Sequence, residues 1–212
     1  YYLVHNVTSA SAWDRLSSLG FEDWVAEQKR SGRITNIGFS YHGPKADFPV
    51  LLDSFGWDFC QIQYNYMNED YQAGTAGLMA AAERGLPVIV MEPLLGGKLA
   101  SELPAGARRA LSDAGLSDDP VRLALRWVWN HPEATVVLSG MNTLDQLSQN
   151  AETTDSAFPG SLEAAEETAI KKAREHIAQN YRIPCTGCGY CMPCPKGINI
   201  PMCFAAYNTS FA

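Results

Sequence analysis

The chain has 212 residues, of which 46% are apolar and 18% are charged, a composition typical of a globular protein that buries a core. Its formal net charge of −7 comes without a Lys/Arg-rich run, which argues against a nucleic-acid partner and against binding to a membrane surface. The longest apolar stretch, around residues 86–95, is too short to span a bilayer.

Five short apolar runs recur along the chain and predict β-strands. They are continuous rather than alternating, which is typical of parallel strands buried on both faces. Because the chain begins inside the first run and without methionine, we expect it to be a piece of a longer protein. The predicted strands are Tyr1–Val7, Thr35–Ser40, Cys60–Tyr64, Pro87–Met91 and Thr135–Ser139.

The segments between these runs have helical character. Phe21–Arg30 carries acids early and bases late and is followed by Gly32, which suits the helix macrodipole and a glycine C-cap. At Asp119-Pro120 an N-cap residue precedes proline at the first helical position. Alternating strands and helices predict α/β architecture. Further helices are expected at Asp47–Ser54, Ala76–Arg84, Pro120–Asn130 and Leu162–Tyr181.

These elements predict three parts of the chain. An α/β body is expected over residues 1–152, a linker and helix over 153–182, and a metal-binding segment over 183–212. The linker is expected from the polar stretch Thr153–Gly160.

Cysteine usage is uneven, since five of the six cysteines lie between residues 185 and 203 and only Cys60 lies elsewhere. A secreted disulfide-bonded protein spreads its cysteines, so this clustering indicates a metal centre in a reducing compartment, the cytoplasm. Three cysteines at two-residue spacing can present three thiolates to three corners of one cubane. We therefore predict a [4Fe–4S] cluster bound by Cys185, Cys188, Cys191 and Cys194.

The cysteine run resembles the bacterial ferredoxin pattern C-x2-C-x2-C-x3-C-P, but its last gap is two residues rather than three. This departure leaves the fourth ligand open, with Cys194 as first choice and Cys203 as the alternative. Gly187 and Gly189 permit positive φ in the loop. Zinc is a weaker interpretation, because structural zinc sites separate their C-x2-C pairs by a spacer. A C-x2-C redox dithiol leaves the other cysteines unexplained.

Polar motifs occur at the ends of the predicted strands. They read YYLVHN (residues 1–6), IGFS (37–40), QIQYN (61–65), MEPLLGGK (91–98) and LSGMNTLDQL (138–147). Together they resemble the strand-end motifs of the aldo-keto reductases, and the tail resembles a subgroup whose barrel is followed by a ferredoxin-like cysteine run. The resemblance implies a (β/α)8 TIM-barrel-type fold. This chain would hold only the C-terminal portion, strands four to eight in about five βα units, followed by a small helical ferredoxin-like iron–sulfur segment.

The resemblance also implies roles for individual side chains. His5 matches the active-site histidine, which would donate a hydrogen bond to a carbonyl oxygen and stabilise developing charge. Ser40 and Gln61 match residues that hold the carboxamide of a nicotinamide cofactor, although Tyr41 replaces the asparagine that follows the serine. Met91 stands where many members place an aromatic residue that stacks on the nicotinamide.

Two further loops resemble the rest of a nicotinamide-cofactor site. After the fourth predicted strand, Gly96 would let the backbone approach a pyrophosphate and Lys98 would neutralise it. After the fifth, Asn142 and Thr143 replace the basic residues that pair with a 2′-phosphate. This replacement argues against a preference for NADP and leaves NAD, another electron donor or an empty site open. The candidate cofactor contacts are Ser40, Gln61, Met91, Glu92, Leu94, Gly96, Lys98, Ser139, Gly140, Asn142, Gln149 and Asn150.

The resemblance implies an oxidoreductase that transfers hydride between a nicotinamide and a small carbonyl or alcohol, with the cluster relaying electrons to a redox protein partner. The family's catalytic aspartate, tyrosine and lysine come from earlier strands, so we expect activity of a longer parent protein and leave it open for this chain alone. Five strands cannot close a barrel, so a partner strand, a second copy or a missing N-terminal segment is expected at the open edges. A non-catalytic iron–sulfur electron-transfer module and a zinc-binding structural protein remain alternatives.

Overall fold

The computed structural model describes residues 1–101, 103–116, 119–185, 187 and 189–210. Strands lie at β1 Tyr2–Val7, β2 Ile37–Tyr41, β3 Phe59–Gln63, β4 Val88–Met91 and β5 Ala134–Val137. Helices lie at α1 Ala10–Ser18, α2 Phe21–Arg30, α3 Asp47–Leu52, α4 Gly74–Glu83, α5 Ala105–Ser112, α6 Pro120–Trp129, α7 Leu144–Thr154, α8 Ala164–Asn180 and α9 Ile200–Thr209, with a 3₁₀ turn at Leu95–Gly97. The chain divides into two compact units, Tyr1–Pro93 with His131–Gly140, and Leu94–Asn130 with Met141–Ala212.

The first unit contains the β-sheet. Its five strands pair in chain order, and every pair is parallel. The expected α/β fold with a parallel sheet is therefore confirmed. The register places Ser40 on β2 opposite Gln61 on β3. It also places Gln63 on β3 opposite Met91 on β4. Side chains from the carboxyl ends of neighbouring strands thus lie next to one another.

The helical side of the sheet is packed by aromatic rings. Phe39 on β2 contacts Trp57 and Phe48, with ring centroids 4.8 and 6.0 Å apart. Because side chains alternate along a strand, Gly38 and Ser40 face the opposite side. There a Cβ on Gly38 would lie 2.6 Å from the Phe59 ring, so only glycine fits between these strands.

Helix α1 was not expected from the sequence, because its serine-rich segment has few apolar residues. Its N-cap, Ser9, accepts a hydrogen bond from the Ala12 N–H at 3.1 Å. Trp13 is buried against the rings of Phe21 and Trp57, with centroids 5.7 and 5.2 Å away. Tertiary packing of one large side chain therefore stabilises a helix that local propensity does not indicate.

The second unit is helical in its described residues, with α5 packed against α8. The predicted linker begins later than expected, because Thr153 and Thr154 belong to α7. The segment between α7 and α8 is hydrogen-bonded to α6 and its C-cap: the Leu162 N–H donates to Asn130 Oδ1 at 3.1 Å, and Arg126 Nη2 donates to the Ser161 carbonyl at 2.9 Å. The boundaries between the two compact units differ from the sequence-based boundaries at residues 152 and 182. The sequence-based division stays a prediction.

Across the part of the chain that the structure describes, we find no helix with the length and apolar character that crossing a membrane requires.

Candidate functional site

The carboxyl ends of β1 and β2 are joined by a hydrogen bond from a strained residue. The Oγ of Ser40, which is 1% exposed, accepts a hydrogen bond from the Asn6 N–H at 2.8 Å. Asn6 has a φ of 61°, and the register between the two strands shifts between Val4 and Val7. Strain of this kind accumulates at functional sites. Since a hydroxyl can accept one hydrogen bond and donate another, the Ser40 O–H is still able to donate a hydrogen bond to a ligand.

Two predicted cofactor residues, one in the middle of β3 and one at the end of β4, contact each other. Gln61 Nε2 lies 3.2 Å from the Sδ of Met91, a thioether that is only a weak acceptor. On the same face of β3, Gln63 is 3% exposed, and its Nε2 has no hydrogen-bond partner in the described part of the chain. The amide N–H groups of Gln61 and Gln63 therefore lie side by side. The Gln61 amide has only a weak acceptor, and the Gln63 amide has none in the described part of the chain. Gln63 was not selected from the sequence, although the two-residue period of a strand places it beside Gln61.

The turn that follows β4 is held by a buried amide. Asn65 donates from Nδ2 to the Glu92 carbonyl at 2.9 Å and accepts from the Met67 N–H at 3.1 Å. Glu92 has a φ of 52°, so Asn65 fixes a second left-handed residue at this edge of the sheet. Asn65 ends the QIQYN motif, but its residue type gave no indication of this role.

A histidine missed by the sequence analysis lies near His5. His42, which follows β2, is half-buried, whereas His5 is exposed. The pKa of His42 lies below its ordinary value, chiefly because of burial, and the nearby His5 lowers it further, while a hydrogen bond with Gln72 works in the opposite direction. Since His42 lies far from His5 in sequence, only the pairing of β1 with β2 reveals that two imidazoles share this edge.

Tyr41, which takes the place of the expected asparagine, does not face the same side as Ser40. Its ring lies fully buried against Phe48, with centroids 4.9 Å apart, and its hydroxyl donates to the Pro44 carbonyl. Burial raises the pKa of Tyr41 to about 12, and the carboxylate of Asp47 adds to the effect. Tyr41 therefore packs into the core, on the face of β2 opposite to the Ser40 side chain.

The remaining candidates divide between the two units. In the first, Ser139 is half-buried and Gly140 exposed after β5. In the second unit, Leu94 is half-buried and Gly96 has a φ of 64°. On α7 of the same unit, Gln149 is exposed and Asn150 is buried. The Asn142 N–H donates to Gln146 Oε1 at 2.9 Å, which orders the start of α7. The roles of these residues toward a cofactor stay predictions.

The cysteine segment, residues 183–210, lies in the second unit. Its described cysteines are free thiols: Cys185 and Cys194 are half-buried, and Cys191 and Cys203 are exposed. Cys188 lies outside the described residues. Within the described ranges no group of three or more His, Cys, Asp or Glu side chains is placed to hold a metal ion. Binding of a metal would have to gather these thiolates, and the ligand set stays a prediction.

The backbone of the segment matches the expectation for a tightly wound loop. Gly187 and Gly189 have φ values of 72° and 78°, which favour glycine. The Gly187 N–H donates to the Sγ of Cys185 at 3.4 Å. Amide-to-sulfur hydrogen bonds of this type tune cluster-binding thiolates.

Two contacts fasten the start of this segment. Asn208 on α9 hydrogen-bonds to the backbone of Ile183. Lys98 donates from Nζ to the Cys185 carbonyl, and its ammonium lies 4.7 Å from the ring centroid of Tyr181. A cavity of about 800 Å³ opens beside these groups, and Lys98, Tyr181 and Cys185 are part of its lining.

Comparison with known proteins identifies the family. A family model described as the aldo/keto reductase family matches residues 2–167. The chain belongs to the aldo/keto reductase family. Its match ends before the first cysteine of the segment, so it says nothing about metal binding.

Individual relatives of the chain are distant. The uncharacterized oxidoreductase YrpG from Bacillus subtilis (strain 168) is 28% identical over an alignment of 172 residues, and the match covers 69% of this chain and 50% of that protein. Solved structures of the aldo-keto reductase AKR11C1 from Bacillus halodurans, in apo and holo forms, match with TM-scores of 0.61 and 22% identity over 81% of this chain. That match covers 61% and 60% of those chains and shows the fold alone. The chain thus spans about half the length of its curated relative.

Proposed function

We propose that the protein is an oxidoreductase that transfers hydride between a nicotinamide cofactor and a small carbonyl or alcohol. The observation that carries the proposal is the pair of amide donors on β3, Gln61 and Gln63, next to Met91 and across from Ser40. A nicotinamide carboxamide offers the acceptor oxygen that these donors lack, and its NH₂ group can donate in return. Family membership supports the same assignment.

In this proposal His5 donates a hydrogen bond to the substrate oxygen, where charge develops during hydride transfer. The neighbouring His42 favours its neutral form, because burial lowers its pKa. We assign β1 to β5 to strands four to eight of the family's barrel. NAD is favoured over NADP, since this chain has Asn142 and Thr143 in the motif in which NADP-preferring members of the family carry basic residues.

We further propose that the cysteine segment binds a [4Fe–4S] cluster through Cys185, Cys188, Cys191 and Cys194, with Cys203 as the alternative fourth ligand. Free thiols, glycines in left-handed conformation and an N–H directed at Cys185 Sγ support this assignment by their chemistry. A bound cluster would supply one-electron chemistry, and its partner would be a redox protein.

The cofactor site is tested by titrating NAD⁺ and NADH into the wild-type protein and two glutamine variants. We expect Gln61→Ala to weaken binding at least tenfold, about 1.4 kcal/mol. Gln179→Ala is the matched control, because Gln179 is exposed on α8. Equal affinity in the two variants, or no binding to the wild type, would contradict the nicotinamide assignment.

The cluster is tested by the iron, zinc and sulfide content of protein purified without oxygen. We expect brown protein with about four irons per chain, and a larger loss of iron in Cys194→Ala than in Cys60→Ala. Stoichiometric zinc without iron would favour the zinc-binding structural protein instead. Iron without nicotinamide binding would favour the non-catalytic electron-transfer module.

A further inference from the structure

The cavity beside Cys185 has the size of a small-molecule site. Its volume is about 800 Å³, within the range of roughly 300–1,000 Å³ that ligand pockets occupy. All of its described lining residues belong to the second unit. Much of the wall is apolar, with contributions from Pro104, Pro201, Met202 and Ala205. Such a wall favours the apolar body of a ligand.

One cation lines this cavity. Among the described lining residues, Lys98 alone is charged. Its ammonium donates to the Cys185 carbonyl and lies 4.7 Å from the centroid of the Tyr181 ring, which defines its position. Because an ammonium has three N–H donors, the contact with one carbonyl leaves others for a ligand. Lys98 is half-buried, so it attracts an anion more strongly than the same cation in water would.

The start of α5 adds further donors. Pro104, Ala105 and Gly106 line the cavity, and α5 begins at Ala105. The first N–H groups of a helix have no partner within the helix, and the N-cap Pro104 has no side-chain acceptor to offer them. The helix dipole also favours negative charge at this end. The start of α5 and the ammonium of Lys98 therefore favour the same kind of group.

We propose that this cavity binds a small organic carboxylate with an apolar body. The carboxylate binds to Lys98 and the start of α5, and the apolar body packs against the residues of α9 that line the cavity. A carboxylate is favoured over a phosphate ester, because one lysine matches one negative charge and a phosphate ester carries about two. This site goes beyond the proposed oxidoreductase activity and requires neither the nicotinamide site nor the iron–sulfur cluster.

The test is a calorimetric titration of naphthoate, an aromatic carboxylate, into the protein purified without oxygen. We expect Lys98→Met to weaken binding at least tenfold, about 1.4 kcal/mol. Lys98→Arg, which keeps the charge, should restore most of the affinity. Lys172→Met is the matched control, because Lys172 is exposed on α8, and it should bind naphthoate as the wild type does. Uncharged naphthamide should bind to the wild type more weakly than naphthoate.

Filling the cavity gives a second measurement. Ala205 on α9 lines the cavity and its neighbour Ala206 does not, although both are exposed. We expect Ala205→Phe to weaken naphthoate binding and Ala206→Phe to leave it unchanged. Neither substitution should alter the affinity for NADH.

Several results would overturn the proposal. They are a wild type that does not bind naphthoate, equal affinity for naphthoate and naphthamide, and unchanged affinity in Lys98→Met. Displacement of naphthoate by NADH would also overturn it, because the cavity would then belong to the cofactor site. Inorganic phosphate that competes with naphthoate at equal affinity would show a site for simple anions instead. Gln61→Ala should leave naphthoate binding unchanged, so a failure of the nicotinamide assignment is seen separately.

Discussion

The side chain of Asn208 hydrogen-bonds to both backbone polar groups of Ile183. Its Oδ1 accepts from the Ile183 N–H at 3.0 Å, and its Nδ2 donates to the Ile183 carbonyl at 2.9 Å. Asn208 is buried on α9, and Ile183 lies two residues before Cys185. One side chain therefore closes the stretch of chain that contains the cysteine run.

Replacing this amide should loosen the segment. Asn208→Ala removes the partner of the Ile183 N–H and leaves the Ile183 carbonyl with the Cys185 N–H, 2.8 Å away, which we expect to cost about 1–3 kcal/mol. Hydrogen exchange of the Ile183 amide, followed by mass spectrometry, should become faster than in the wild type. Asn142→Ala is the control, because Asn142 is exposed. Equal protection of Ile183 in both variants would show that the two hydrogen bonds do not stabilise the segment.

The ion pair between Arg126 and Glu166 should stabilise the second unit in a pH-dependent way. Burial by itself would raise the pKa of Glu166, but hydrogen bonds from Arg126 and from the Glu163 N–H outweigh it and leave the pKa below its ordinary value. Because the folded carboxyl is the stronger acid, this stabilisation is present above the ordinary pKa and is lost as pH falls through the lowered one.

We expect Glu166→Gln to lower the free energy of unfolding at neutral pH by about 2 kcal/mol. The difference from the wild type should shrink toward acid pH, where Glu166 is protonated. Urea unfolding at several pH values measures this difference. Glu175→Gln, at an exposed site on α8, should change little. A pH-independent loss would mean that packing, and not the charge, is responsible.

Thiol reactivity should separate Cys60 from the cysteine segment. Cys60 is fully buried on β3, and burial raises its pKa to about 12. Because the thiolate is the reactive form, metal-free folded protein should be alkylated at the exposed Cys191 and Cys203 well before Cys60. Peptide mapping after a short exposure to iodoacetamide measures the order. Unfolding in urea should remove the difference, and early labelling of Cys60 in folded protein would contradict its placement.

The two imidazoles at the edge of the sheet should be coupled. We expect the pKa of His42 to lie below the ordinary value of a histidine, because burial disfavours its charged form. His5→Gln should raise the pKa of His42 by removing a repulsive charge, and Gln72→Ala should lower it by removing a hydrogen bond that favours the charged ring. Nuclear magnetic resonance titration of the ring protons measures both shifts. An unmoved His42 in His5→Gln would show that the two rings do not interact.

Much of the fold follows from local sequence. Continuous apolar runs predicted the strands to within two residues. β2 is buried along its whole length, as such a run predicts, whereas β1 and β5, at the two edges of the sheet, are partly exposed. Acidic residues in the first turn and basic residues in the last turn predicted α2. The Asp-Pro pair at residues 119 and 120 predicted the start of α6. Helix α1 was missed because its stability comes from Trp13, whose partners lie outside the helix.

The candidate site residues likewise include some that the sequence indicated and others that only the structure revealed. The resemblance of the strand-end motifs to the aldo-keto reductases indicated Ser40 and Gln61 as candidates, and the spacing of the cysteines indicated the cysteine run, since both patterns are visible in short stretches of sequence. Only the tertiary structure placed His42 near His5 and Lys98 on the Cys185 carbonyl, because a hydrogen bond or a charge interaction depends on distance in space. Sequence determines which groups a chain carries, and packing decides which of them meet.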